Sequence, residues 1–351
     1  MDINQLFAEA ARLVASDLHL IVGFPPTLRI TGKLVPVAGA RTLTAEEVSR
    51  VVTSILSPEQ KELFTNNREL DFSLTTPVGR FRVNTYYQKA TVAAAFRLIP
   101  AKIRTIDELH LPAICHEFVK LRQGFILVTG PTGQGKSTTI ASMINAINLA
   151  KPVHIVTIED PLEYLYPPGL ALISQREMHG DTHSWDIALR SALREDPDVV
   201  LVGEMRDLET IAAALTVAET GHLVFATLHT NSASQTVDRI VDVFPENQQS
   251  QIKMQLSAVI EGILSQRLVP AVGGGLIPAV EVLVGTPAVR TTIREGKTHL
   301  IDNIIQTSAE YGMVTIETAL AALVKEKKIT VETANSYALR PEELGRLLKY
   351  Q

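Results

Sequence analysis

Eight residues near the middle of the chain, Gly130-Pro131-Thr132-Gly133-Gln134-Gly135-Lys136-Ser137, satisfy G-x-x-x-x-G-K-[ST] at every fixed position. That spacing does one kind of chemistry, the holding of phosphate. Glycines at 130, 133 and 135 allow positive φ and close approach, so successive backbone N–H groups can turn inward around an anion. Lys136 can bridge the β- and γ-phosphates of a nucleoside triphosphate, and the Ser137 hydroxyl can ligate Mg²⁺. The candidate nucleotide-binding set is therefore Gly130 to Ser137 together with Thr138, which follows in the first turn of a helix.

A glycine loop works only between a strand and a helix N-terminus. Phe125–Thr129 is a short apolar run of the kind that makes a strand buried on both faces, and after Ser137 the residues Ile140, Met143, Ile144 and Ile147 recur at helical spacing. From Gly124 onward strand and helix patterns alternate, which predicts an α/β domain with a parallel sheet and crossover helices. Strands are expected at Phe125–Thr129, Val153–Ile158, Val199–Val202 and Leu223–Thr227, followed by a hairpin of Leu264–Val269 and Leu276–Val284 around Gly273-Gly274-Gly275. In such sheets ligands bind beyond the carboxyl ends of the strands. Three of these strands meet charge. Val153–Ile158 runs into Glu159 and, four residues on, Glu163; Val199–Val202 runs into Gly203-Glu204; Leu223–Thr227 is bracketed by His222 and His229. A phosphoryl-transfer site needs a carboxylate near Mg²⁺ and a group that orients the attacking water. Glu204 suits the metal or the groups behind it, Glu163 or Glu159 the base. His222 and His229 stay open between structural and functional roles.

The remaining sequence bounds these readings. A chain of 351 residues suggests two domains, and 46% hydrophobic content is enough for real cores. A net charge of −5 with no polybasic run argues against a nucleic-acid motor. Cys115 is the single cysteine, so intrachain disulfides and multi-cysteine zinc sites are excluded. The amphipathic N-terminus with Asp2 does not read as a secretory signal, and no apolar run approaches the ~18 residues of a membrane span. A reduced, soluble, cytoplasmic protein is expected. Residues 1–100 read as an α+β module. A first helix carries Ile3, Leu6, Phe7, Ala10, Leu13 and Val14. Thr44 opens a second with Glu47 as its capping box, and Ser57-Pro58 opens a third. Strands are expected at Leu18–Val22, Leu28–Ile30, Glu69–Leu74, Arg80–Gln88 and Thr91–Ile99, the last three as an antiparallel meander. Residues 101–123 form a connection, 124–285 the glycine-loop domain, and 286–351 a helical region jointed near Gly296, Gly312, Thr330 and Arg340.

With those pieces in order, the chain resembles the type II/type IV pilus secretion ATPase superfamily, and within it the pilus-retraction (PilT-type) branch. The resemblance is carried by Ala15–Leu20 with Pro25-Pro26 and Arg29, by Arg80–Asn84 and Phe96–Pro100, and by Ile158–Tyr164, which is similar to an aspartate box. Leu193–Asp207 is similar to a Walker B signature and Thr220–Asn231 to a histidine box. It implies a RecA-like motor domain behind a PAS-like N-terminal domain. It further implies a homo-hexameric ring that hydrolyses ATP with Mg²⁺ at the cytoplasmic face of an inner membrane, peripheral to it and engaged with a platform protein and pilus machinery. Arg82 and Arg97 then match N-domain arginines that reach the phosphates, and Arg190 and Arg206 match arginines of the motor domain. An accessory retraction ATPase (PilU type), or a pilus-assembly or type II secretion ATPase, is the alternative. Gln134 departs from the family, where Ser is usual, leaving its side chain to face phosphate or solvent. The segment Pro287–Gly296 resembles a retraction-linked motif. Changing Ala288, Val289 and Arg290 together is therefore expected to spare hydrolysis and abolish retraction.

Overall fold

The computed structural model describes residues 2–99 and 102–349, which divide into two compact units, Met1–Lys102 with Pro161–Leu165 and Ile103–Asp160 with Tyr166–Gln351. Pro100 of the arginine-bearing motif, Ala101 at the start of the expected connection, and the last two residues of the expected helical region lie outside the described residues.

In the first unit, α1 (Ile3–Arg12) is capped by the Asp2 carboxylate, which accepts from Asn4 N. β1 (Asp17–Leu20), β2 (Thr27–Ile30) and β3 (Lys33–Pro36) follow. α2 (Ala45–Ile55) and α3 (Pro58–Asn67) each begin with a closed capping box, Thr44 with Glu47 and Ser57 with Gln60. β4 (Glu69–Thr76), β5 (Gly79–Gln88) and β6 (Thr91–Leu98) complete a six-stranded sheet in the order β3-β2-β1-β6-β5-β4, antiparallel in every pairing. The period-two alternation of β5 puts Phe81 and Val83 in the core, where Phe7 stacks on Phe81 at 4.4 Å and meets Phe96 edge-on at 5.2 Å. Arg82 and Arg97 occupy the other face as directly opposed partners, and Asp17 lies between Arg97 and Arg29 in the same row. β3 has no counterpart among the sequence expectations. It is fully exposed along its length, so no burial pattern marks it.

The second unit is organised by a seven-stranded sheet, β13-β12-β7-β11-β10-β8-β9, parallel except for its last hairpin. Its strands are β7 (Gly124–Thr129), β8 (His154–Glu159), β9 (Leu172–Glu177), β10 (Val199–Val202), β11 (Leu223–Leu228), β12 (Ile260–Pro270) and β13 (Leu276–Val284). Phe125 and Leu127 of β7 belong to the core on one face, Ile126 and Val128 to the core on the other. Every residue of β7 is buried, which is why that strand reads as a continuous apolar run. The helices are α4 (Ile114–Phe118), α5 (Lys136–Ala150), α6 (Trp185–Ala192), α7 (Leu208–Glu219), α8 (Ala233–Asp242) and α9 (Glu246–Val259), then α10 (Pro287–Arg294), α11 (Ile301–Thr307), α12 (Ile316–Lys325), α13 (Val331–Tyr337) and α14 (Pro341–Lys349). No helix among the described residues is long and apolar enough to cross a membrane.

Three expectations change. Most of the 101–123 stretch is not a bare connection, because Ile106, Cys115 and Phe118 are buried in the core of the second unit. β12 starts at Ile260 and pairs in parallel with β7 over Ile260–Ser265, so the hairpin is an integral edge of the main sheet. The helical region is likewise no separate body. Val289, Ile293, Ile301 and Ile305 share one core with the sheet, and Ile316, Leu320, Ala334 and Leu344 close over Val269, Ile277 and Ala279 of the hairpin.

Candidate active site

The glycine loop leaves the carboxyl end of β7 and enters α5 at Lys136. Gly130, Gly133 and Gly135 take φ of 142°, 79° and 79°. At Gly130 a Cβ would stand 2.4 Å from the carbonyl oxygen of Gln266, so space as well as conformation demands glycine there. Lys136 is buried, and its ammonium donates to the carbonyls of Gly130 at 2.8 Å and Pro131 at 3.0 Å. Ser137 and Thr138 are half-buried in the first turn of α5, whose N–H groups and positive dipole end favour an anion.

The neighbouring strand ends supply the polar partners. Thr227 Oγ1 donates to Gly203 O at 2.6 Å and Met205 N donates to Thr227 O at 3.1 Å, which holds the turn carrying Glu204 against the end of β11. His229 follows β11 directly. Its Nε2 lies 3.1 Å from Glu204 Oε1, and its Nδ1 lies 3.4 Å from both Lys136 Nζ and Thr132 Oγ1. With an ammonium facing Nδ1, that nitrogen accepts and Nε2 carries the proton given to Glu204. Burial and the Lys136 charge push the His229 pKa below its ordinary value, against the pull of Glu204, so the neutral ring is favoured. The other Glu204 oxygen accepts from Arg206 at 2.7 Å. Burial works to raise the Glu204 pKa, but the hydrogen bond and charge of Arg206, backed by His229 and Lys136, outweigh it and hold the carboxyl below its usual range. Arg206 is held more firmly protonated by that bond to Glu204, with the Asp160 charge adding to it. Lysine, neutral histidine, ionised glutamate and arginine thus form one connected line at the mouth of the loop.

The expected residues do not all join it. His222 and His229 bracket the same strand, but β11 runs parallel to β7 with Leu223 opposite Gly124 and Leu228 opposite Thr129. His222 therefore sits at the opposite end of the strand, six strand residues or about 20 Å from the loop. There it bonds Val217 O and Thr220 Oγ1 at the end of α7. The structure therefore does not bring it to the loop with His229. Arg190 is exposed on α6 with Asp186 as its ion-pair partner at 3.9 Å. Glu159 is buried at the end of β8, beside Gly203. Glu163 falls in Pro161–Leu165, which groups with the first unit, as do Arg82 and Arg97. Arg97 pairs with Asp17 at 2.9 Å. The Gln134 side chain reaches to β12, where its Oε1 accepts from Leu268 N at 2.6 Å.

Sequence reasoning passed over Gln266, which packs on the loop from β12. Its signal was a run of polar residues, Ser265-Gln266-Arg267, between the apolar residues Ile263-Leu264 and Leu268-Val269. Ser265 and Gln266 are both buried.

Residues 1–338 match the family model described as Type II/IV secretion system protein. The chain is 46% identical over 343 residues to the type IV pilus retractation ATPase PilT of Pseudomonas aeruginosa, covering 97% of this chain and 99% of that protein. It is 36% identical over 351 residues to the type IV pilus ATPase PilU of the same organism, covering 99% and 92%. Among solved structures, that of the pilus retraction motor PilT with bound ADP superposes with a TM-score of 0.92 at 46% identity, covering 99% of each chain.

Proposed function

The chain belongs to the family of type II/IV secretion system proteins, and on that premise we propose that it is an ATPase motor that powers retraction of type IV pili, the pilin depolymerisation behind twitching motility. One observation carries the reading: the Lys136–His229–Glu204–Arg206 line stands at the mouth of a phosphate loop in a chain similar along its whole length to a retraction motor that binds ADP.

ATP is the substrate. The loop N–H groups and Lys136 take its phosphates, the ammonium exchanging the carbonyls of Gly130 and Pro131 for phosphate oxygens. Ser137 and Glu204 would hold Mg²⁺, which when bound would neutralise charge on the phosphates. The donors fit that ion: one hydroxyl and one carboxylate kept ionised, with no group of three or more His, Cys, Asp or Glu poised for a metal among the described residues, suit a cation held mainly by phosphate and water. Each oxygen of Glu204 accepts one hydrogen bond, from Arg206 and His229, which would keep the carboxylate ionised and oriented toward a bound cation. His229 keeps Glu204 aimed. Glu159 or Glu163 orients the attacking water. Arg206 steadies Glu204, and Arg82 and Arg97 supply positive charge from a second module, in this chain or in the next subunit of a homo-hexamer. The ring works at the cytoplasmic face of the inner membrane, against a platform protein of the pilus machinery.

The test is a Lys136→Ala allele in the host, scored for surface pili and twitching. Excess, immotile pili are expected. Loss of pili would assign the chain to assembly or secretion, and pili that still retract would assign it an accessory role of the PilU type.

A further inference from the structure

We propose that Gln266, acting with Gln134, is a positioning residue that sets the orientation of the glycine loop for nucleotide. The inference rests on the reading of that loop as the nucleotide site. β12 pairs with β7 as far as Ser265 opposite Thr129, where β7 ends, and then continues to Pro270. Beyond Ser265 its β7-facing edge has no strand to pair with, and the glycine loop takes that place. Thr129 Oγ1 and Ser265 Oγ share a hydrogen bond at 2.9 Å; Gln266 Nε2 donates to Gln134 O at 2.6 Å; Gln266 Oε1 accepts from Thr139 Oγ1 at 2.7 Å; Leu268 N donates to Gln134 Oε1 at 2.6 Å. The loop is thus stitched to one strand at both of its ends and at its middle. A Cβ at Gly135 would come within 2.9 Å of Gln266 Nε2, so glycine is what lets this side chain reach across.

The bond to Gln134 O has a directional consequence. In a trans peptide the carbonyl and the following N–H point opposite ways. Pinning the Gln134 carbonyl toward β12 turns the Gly135 N–H away from β12, the side a phosphate occupies in a cradle of inward N–H groups. The Thr139 bond fixes the first turn of α5 against the same side chain. Gln266 is buried, and its amide bonds go to Gln134 O and Thr139 Oγ1. It acts through the loop.

The test uses the purified full chain and four measurements: equilibrium binding of fluorescent ADP, KM and kcat for ATP, and thermal unfolding. Gln266→Met keeps the volume and removes both hydrogen bonds. It is expected to weaken ADP binding and raise KM about tenfold, the scale of one lost hydrogen bond, with a smaller change in kcat. Gln266→Glu keeps the acceptor for Thr139 and loses the donor to Gln134, so it should behave like Gln266→Met if the peptide orientation matters. Gln266→Glu decides the case if Gln266→Met does not fold; Gln134→Ala keeps the Gln134 carbonyl but removes the tie to Leu268 N, is expected to weaken ADP binding severalfold, and with unchanged binding would remove the Gln134 side chain from the role. A wild type that binds ADP alongside a Gln266→Met variant with unchanged affinity and KM would overturn the positioning role. So would recovery of wild-type affinity by Gln266→Glu. A wild type that binds no ADP would overturn the nucleotide site itself.

Discussion

Arg290 lies in the segment whose resemblance suggests a contact surface spared by hydrolysis, and the structure assigns it a different task. Its Nε donates to Gly285 O at 2.8 Å, Nη1 donates to Ser257 O at 3.1 Å and to Ala258 O, and Nη2 pairs with Glu261 at 2.7 Å. Two of those carbonyls belong to the last turn of α9, where no intrahelical donor exists. Val289 beside it is fully buried, while Ala288 is exposed. Arg290→Ala removes a charged donor from three carbonyls and a carboxylate. Each such bond is worth ~1.5–3 kcal/mol, but the guanidinium is 25% exposed and water replaces part of what is lost, so the net cost is about 3 kcal/mol. Val289→Ala should cost ~2 kcal/mol through its cavity, and Ala288→Asp less than ~0.5 kcal/mol. The assay is built in. Trp185, the single tryptophan, packs against the core that contains Val289 and Ile293, so urea unfolding followed by its fluorescence reports on this unit. Expected is a loss of stability in the order Arg290→Ala, Val289→Ala, Ala288→Asp, with partial recovery in Arg290→Lys. An Arg290→Ala variant that unfolds like wild type, hydrolyses ATP normally and abolishes retraction would refute this reasoning and restore the contact-surface role.

Two further outcomes follow from the same geometry. His229→Ala should lower kcat ~10–100-fold, because Glu204 loses the donor that aims it, whereas His222→Ala should leave kcat within about twofold; equal losses in steady-state ATPase assays would contradict the strand register. Glu281 on β13 is buried and accepts from Ala233 N at the start of α8. Burial pushes its carboxyl up to about 7 from 4.5; the Ala233 N–H pulls it down, Asp302 and Glu317 add to the rise, and Arg340 opposes it. The folded state then binds the extra proton, so this stabilising contribution is fully present below pH 4.5 and is lost as pH rises through about 7. Glu281→Gln keeps the acceptor and should match wild type near pH 4.5 but exceed it by up to ~3 kcal/mol at pH 8, measured by urea unfolding across that range. A constant difference at all pH values would show that Glu281 does not titrate there.

Much of the molecule was legible in the sequence because it is local. The capping box at Thr44, the helix start at Ser57-Pro58, the apolar run of β7 and the glycine spacing that follows it all rest on contacts within a few residues, which pattern reports directly. So does the placing of charge just beyond β8, β10 and β11, since a strand's end is visible where its apolar run stops. What the tertiary structure alone decided depends on which strands are neighbours and in which direction they run. Two histidines bracketing one strand are equivalent in sequence; only the parallel register of β11 on β7 sends His229 to the loop and His222 to the far end of the strand. The arginine at 290 carries the same residue type on a surface or in a helix cap, and only the arrival of the α9 carbonyls settles which. Gln134 and Gln266 are separated by 132 residues and meet because β12 outruns β7, leaving edge donors that the loop must satisfy. Long-range pairing of buried polar groups leaves no periodic trace along the chain, and that is why the walls of this site appeared only once the strands were in order.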